Sequence, residues 1–186
     1  MPCYRPLRAQ RRIDGTVKII GAMRHTQTAS DEISIACGQC VGCRIDHSKE
    51  WMLRCTHEAS QHDSNHFVTL TYENEPYGGS LIHEHYQRFM KRLRKKMPAE
   101  PRYYMCGEYG DQLQRPHFHA CLFNVEFPDA KLYKIQNGHR LYESDLLNEI
   151  WATDKQHDGG FCLLGDVTTE SAAYVARYVI DRKSVV

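Results

Sequence analysis

The chain has 186 residues, 41% of them hydrophobic and 25% charged, with a formal net charge of +1. That length and apolar fraction suit a globular domain with a real core and exclude a disordered chain. A net charge so near zero supplies no global field, so any nucleic-acid binding must come from local patches. No run of about 18 apolar residues marks a membrane span. Met1-Pro-Cys-Tyr-Arg-Pro-Leu-Arg8 lacks the apolar core of a signal peptide, so a cytoplasmic setting is expected. The 8 cysteines, in a reducing compartment, point to metal binding or buried thiols before disulfides.

Residues 1–36 read as an irregular arm. Arg5, Arg8, Arg11 and Arg12 make it basic, which suits either a loosely ordered tail or phosphate contact. Val17-Lys-Ile-Ile20 is a short candidate strand. Cys37-Gly-Gln-Cys-Val-Gly-Cys43 follows. Three cysteines at this spacing arise by chance only about 0.01 times in such a chain, so the pattern carries weight. Its glycines let the backbone turn until neighbouring thiolates converge on one ion, as in a zinc knuckle. The expected structural zinc ligands are Cys3, Cys37, Cys40 and Cys43, with His47 as the alternative fourth. An iron–sulfur centre and plain reduced thiols on a loop are the competing readings. The chain thus divides into a Cys-rich arm over 1–44 and a second, compact domain over 45–186.

Residues 45–62 have helical spacing, with Ser48, Met52, Cys55 and Ala59 on one stripe. His66-Phe-Val-Thr-Leu-Thr-Tyr72 alternates and is β-branched and aromatic, which predicts a strand with Thr69 and Thr71 on one face. Residues 82–97 predict an amphipathic helix with Tyr86, Phe89, Met90, Leu93 and Met97 as its apolar stripe. Arg88, Lys91, Arg92, Arg94, Lys95 and Lys96 load its other faces, as a solvated surface or as phosphate contacts. His83 and His85 at its start diverge by about 200°, so they read as surface residues.

The organising stretch is Arg115-Pro-His-Phe-His-Ala-Cys-Leu-Phe123. On a strand, His117 and His119 share a face while Phe118 enters the opposite layer. Their Cα atoms then lie about 7 Å apart, close enough for both imidazoles to hold one divalent ion. Arg102-Tyr-Tyr-Met-Cys106 is a strand-like run just upstream, and it can bring Glu108 beside both histidines. Two His and one carboxylate leave open positions on the ion, which catalysis needs. Chance alone gives about 0.6 His-x-His pairs in this composition, so the strand context and Glu108 carry the reading.

Residues 124–140 read as a polar loop, and Glu143 to Trp151 as a short helix. After a turn at His157-Asp-Gly-Gly160, Phe161 to Val167 is a strand, and Thr168 or Thr169 can cap a final helix over 170–183. Tyr174 and Tyr178 stand four apart, so both hydroxyls leave one helix face. Two core tyrosines are the plain alternative. With the histidines, the chemical sense is different: an ion on Glu108, His117 and His119 polarises a phosphodiester, and a tyrosine attacks phosphorus. Two tyrosines permit two successive transfers. No Gly-x4-Gly-Lys-Ser/Thr loop is present, so the chain carries no ATP motor of that type.

Taken in order, Met1-Pro-Cys-Tyr, Cys37 to Arg44, Phe67 to Tyr72, Cys106-Gly-Glu-Tyr-Gly110, Arg115 to Ala120 and Ala173 to Val179 resemble the HUH endonucleases. Within them, the chain looks like the rolling-circle replication initiators of microvirus- and gokushovirus-type single-stranded DNA phages. The resemblance implies an α+β fold: a central antiparallel sheet, HUH/Rep-like and related to ferredoxin and RRM folds, flanked by helices. It implies origin nicking of single-stranded DNA, a 5′-phosphotyrosyl link, a free 3′-OH, and rejoining by the second tyrosine. Magnesium or manganese is the implied catalytic ion, a host helicase and polymerase the implied partners, and the bacterial cytoplasm the implied setting. Arg115, Arg177, Lys91, Arg92 and Lys95 are the expected DNA contacts. Members of this type carry Lys in the tyrosine helix where this chain has Arg177 and Asp181; a guanidinium holds its proton, so Arg177 suits phosphate contact rather than proton transfer. Related initiators also continue beyond this helix, so the resemblance implies either a truncated or a degenerate form of a longer initiator. The alternatives are a zinc-bearing, non-catalytic nucleic-acid-binding module and a single-tyrosine transposase of the same superfamily.

Overall fold

The computed structural model describes residues 3–22, 32–74, 79–110, 113–152 and 159–180, and the chain forms two compact units, Met1–Lys49 and Glu50–Val186. The division falls inside a helix, α1 (Val41–Ala59).

The first unit departs from the expected irregular arm. Strands β1 (Leu7–Arg11), β2 (Val17–Ala22) and β3 (Glu32–Ile35) form an antiparallel sheet in the order β2-β1-β3. The turn chemistry explains the hairpin. Asp14 accepts from the Thr16 amide at 2.9 Å and its hydroxyl at 2.7 Å, and Gly15 supplies the φ of +82° that the reversal needs. Arg8 pairs with Glu32 across β1 and β3. The candidate strand at Val17-Lys-Ile-Ile20 is the core of β2, whereas β1 and β3 are short and leave most side chains at least partly exposed, so they carry little hydrophobic signal.

In the second unit, β4 (Asn65–Tyr72), β5 (Arg102–Tyr109), β6 (Pro116–Phe123), β7 (Lys131–Gln136), β8 (His139–Glu143) and β9 (Gly159–Asp166) form one antiparallel sheet in the order β5-β6-β4-β9-β8-β7. One face buries Val68, Leu70, Phe118 and Leu122 under α2 (His83–Lys96) and α3 (Asp145–Ala152), which contribute Tyr86, Phe89, Leu93, Leu147, Ile150 and Trp151. The other face buries Cys106, Cys121 and Phe123 under Cys55 of α1 and Ala172 and Val175 of α4 (Thr169–Ile180). The expected α+β architecture, an antiparallel sheet flanked by helices, is the one observed. Among the described residues, no helix is long and apolar enough to cross a membrane.

Two expectations change. The loop over 124–140 contains the β7–β8 hairpin, closed by Asn137 and Gly138 with φ of +52° and +82°. Asn-Gly is the strongest short signal for such a turn, and it stood in the sequence. His85 is buried at 3% exposure, and its Nδ1 lies 3.1 Å from the Tyr72 hydroxyl. The α2 stripe is wide enough to take this histidine into the core, so it is no surface residue.

Gly160 lets the start of β9 lie against the end of β4. A Cβ there would sit 2.6 Å from the Tyr72 carbonyl carbon and 2.7 Å from the Glu73 nitrogen. Gly160→Ala is expected to cost about 1–3 kcal/mol, read as a lower urea midpoint. Gly165→Ala is the control: its Cβ would meet Leu141 at an ordinary 3.7 Å, so the midpoint should hold.

Candidate metal and tyrosine site

Strand register builds the site. On β6, His117 faces Glu108 of β5 and Thr71 of β4, and His119 faces Cys106 and Thr69. Phe118 turns into the core under α2, so both histidines point to the α4 side. Glu108 Oε1 lies 3.7 Å from His117 Nε2 and Oε2 lies 3.8 Å from His119 Nε2. One ligand atom from each of the three falls within 4.8 Å of the others, so these residues fit a shared divalent ion.

The outer ring nitrogens are held as metal-binding histidines require. His117 Nδ1 lies 3.0 Å from the Arg115 carbonyl. A carbonyl only accepts, so Nδ1 carries a proton and Nε2 is the ring atom that faces Glu108. His119 Nδ1 lies 3.0 Å from the Thr69 hydroxyl, and Phe67 stacks on its ring at 5.3 Å. Spacing alone places Thr69 only on a common strand face with Thr71, with no tie to a histidine. Its facing of His119 depends on the β4–β6 register, which no local pattern states.

Charge follows from these contacts. Burial pushes His119 down to about 4, with the nearby His117 adding to the effect, so it is neutral and available as a ligand. Burial also disfavours a charged His117, but Glu108 and the Arg115 carbonyl outweigh it and hold its pKa above the usual range. Burial alone would raise Glu108; attraction to His117 and the hydrogen bond from Tyr174 overcome it and hold the carboxyl below its usual range.

Helix α4 brings the nucleophile candidates. Thr168 caps it by accepting from the Ser171 amide at 3.2 Å, and Ala172, Val175 and Ala176 are buried. The Tyr174 hydroxyl then lies 2.8 and 2.7 Å from the two Glu108 oxygens. Burial, the Glu108 carboxylate and Tyr178 together push the Tyr174 phenol well above its ordinary pKa. The Tyr178 ring lies one turn on, 4.8 Å from that of Tyr174. A cleft of about 450 Å³ opens beside them, lined by Phe67, His119, His139, Leu141, Ser171 and Tyr174 among others.

The expected DNA contacts fare unevenly. Arg177 is exposed on α4, next to Tyr178. Arg115 donates to the Tyr72 and Glu73 carbonyls at 2.9 and 3.0 Å, so it fixes the end of β4 while its own carbonyl orients His117. Arg92 donates to the Ile150 and Trp151 carbonyls at 2.7 and 3.3 Å, at the C-terminal end of α3. It is a helix cap here, a role invisible without the α2–α3 packing. Lys91 and Lys95 are exposed, but α2 covers the sheet face opposite the histidines.

A family model described as "Replication-associated protein ORF2/G2P" matches residues 65–183, a span that contains the entire site. The chain belongs to this family. Among relatives of this ORF2/G2P member, replication-associated protein VP4 of Bdellovibrio phage phiMH2K is 33% identical, over 96% of this chain and 57% of that one. Replication-associated protein ORF2 of Spiroplasma virus 4 is 35% identical, over 82% of this chain and 49% of its own length. Replication-associated protein ORF4 of Chlamydia phage 1 is 29% identical, over 78% and 37%. The chain spans about half the length of the curated relatives it matches. No solved structure matches it.

The cysteine cluster of this ORF2/G2P member lies in the first unit, before the matched span. Cys40 Sγ is 3.8 Å from Cys3 Sγ and 3.5 Å from Cys43 Sγ, and Cys37 Sγ is 4.0 Å from Cys43 Sγ. Four thiolates around a tetrahedral zinc would stand about 3.8 Å apart, so the spacing fits that ion. The amides of Cys43 and Tyr4 point at Cys40 and lower its thiol to about 6, while burial pushes Cys43 up to about 12. Cys3, rather than His47, is the fourth member of the group.

Proposed function

We propose that this chain nicks single-stranded DNA at a replication origin, with Tyr174 as the first nucleophile and Glu108, His117 and His119 as ligands of a magnesium or manganese ion. The observation that supports this reading most is the approach of the Tyr174 hydroxyl to both oxygens of Glu108, the carboxylate that faces both histidines. Such an ion, when bound, supplies the positive charge that polarises a phosphodiester and stabilises a phenolate. Tyr174 Oη gives up its proton as it attacks phosphorus, the new O–P bond replaces the bond to the 3′-oxygen, and that oxygen takes up a proton in its turn and leaves as a 3′-OH. The 5′-phosphotyrosyl bond keeps the phosphodiester energy, so rejoining needs no ATP. Tyr178, one helical turn away, serves the second transfer; Arg177 suits phosphate contact beside it. In the first unit, Cys3, Cys37, Cys40 and Cys43 hold a structural zinc.

The experiment is incubation with single-stranded DNA from the cognate genome and Mn²⁺, followed by a denaturing gel that reports a covalent protein–DNA band. A band supports the nickase; binding without a band supports the non-catalytic module. Thr69 tests the ion site separately. Thr69→Val removes the oxygen that orients His119, so Mn²⁺ affinity by calorimetry should fall about 10- to 100-fold while the protein stays folded. Unchanged affinity would count against the assignment of His119.

A further inference from the structure

Helix α4 packs on β5 and β6, and the histidine-bearing face of the sheet continues past β4 onto β9, β8 and β7. That face carries two large exposed rings, Phe161 on β9 at 44% and Tyr133 on β7 at 50% exposure. Alternation fixes the side of Phe161: Cys162 and Leu164 are buried with Phe118, so Phe161 points the other way, with His117 and His119, and Tyr133 joins it there by ring contact. The rings meet at 5.2 Å between centroids, and Lys134 Nζ lies 5.6 Å from the Tyr133 ring centre.

Position links this pair to the site. Thr71 faces His117 across β4 and β6, and its hydroxyl donates to the Phe161 carbonyl at 2.7 Å. Two strand spacings therefore separate Phe161 from His117, about 10 Å across the sheet. Charge agrees with a polyanion: between Leu132 and Tyr142 the hairpin carries Lys134 and Arg140 and no acidic residue. Exposed π faces beside cations on an open sheet are how single-stranded nucleic acid is held without sequence-specific pairing.

We propose that Tyr133 and Phe161 form a stacking platform for nucleobases flanking the phosphate at Tyr174. The identity of that phosphate rests on the nicking reading; the platform is a claim about binding alone. The test is fluorescence anisotropy with a short fluorescein-labelled single strand of mixed sequence. Tyr133→Ala and Phe161→Ala should each weaken binding about 5-fold or more. The slope of affinity against salt should stay the same, because phosphate contacts remain. Tyr133→Phe with Phe161→Tyr should restore affinity, which separates stacking from disrupted folding. Unchanged affinity in the double alanine variant overturns the platform, even if the wild type forms a covalent band. Weakened binding with no band under any condition keeps the platform and removes the nickase. If the double variant instead dissociates a dimer in sedimentation and binds DNA normally, a second copy of the chain covers this face and the platform is wrong.

Discussion

Tyr174→Phe is expected to slow covalent capture of single-stranded DNA by at least about 10³-fold, since loss of a nucleophile is among the costliest catalytic lesions. Tyr178→Phe should retain the first capture and lose the second transfer. The asymmetry follows from position. Tyr174 reaches Glu108 at 2.7 Å, whereas Tyr178 lies one turn further along α4, its ring tilted against that of Tyr174. Phenylalanine keeps the edge contacts of the Tyr174 ring with Phe67 and His119, so the fold should persist. Time courses on denaturing gels give the rates. Equal capture by both variants would mean that the hydroxyls are interchangeable. Loss with both would mean that Tyr178 also shapes the first step.

Cys40→Ser is expected to abolish zinc binding and unfold β1, β2 and β3. The first unit buries little: Ala9, at 0% exposure, is its only apolar side chain in the buried core among the described residues. A sheet with so small a core needs a staple. With zinc bound, the four cysteines would provide one at a definite place. Leu7 pairs with Ile35 at one end of the β1–β3 ladder, and Cys3 and Cys37 continue just beyond that pair. Structural zinc sites contribute about 10–16 kcal/mol, more than such a sheet could supply by packing. Elemental analysis should find one zinc per wild-type chain and none in Cys40→Ser. Amide exchange should show β1–β3 protected in the first and open in the second. A metal-free wild type with protected strands would contradict the assignment.

The convergence of Glu108, His117 and His119 was legible because strands alternate and antiparallel neighbours meet in register. His117 and His119 declared their common face by spacing alone, and a strand-like run upstream sufficed to suggest Glu108. The α2 stripe from Tyr86 to Leu93 was legible for the same reason, at helical period. What stayed hidden depends on partners distant in sequence. Thr69 orients His119 only because β4 pairs with β6 at one register. Arg92 looks like one cation among six until α3 places its carbonyls beside it. Arg115 was read for its charge, yet its backbone oxygen and its grip on the end of β4 are what the site uses. The β7–β8 hairpin is a different case. Asn137-Gly138 announced it, and the polar composition around that turn masked the signal.

The most direct measurement is mass spectrometry of the protein after reaction with single-stranded origin DNA and Mn²⁺, following nuclease trimming and trypsin digestion. Cleavage after Arg177 separates the two tyrosines, leaving Tyr178 at the start of its own peptide. The proposed mechanism predicts a nucleotide mass on the peptide that ends at Arg177, with fragment ions placing it on Tyr174, and no such mass when Glu108 is replaced by alanine. A nucleotide found on any other residue in the first turnover, or undiminished labelling without Glu108, would contradict it.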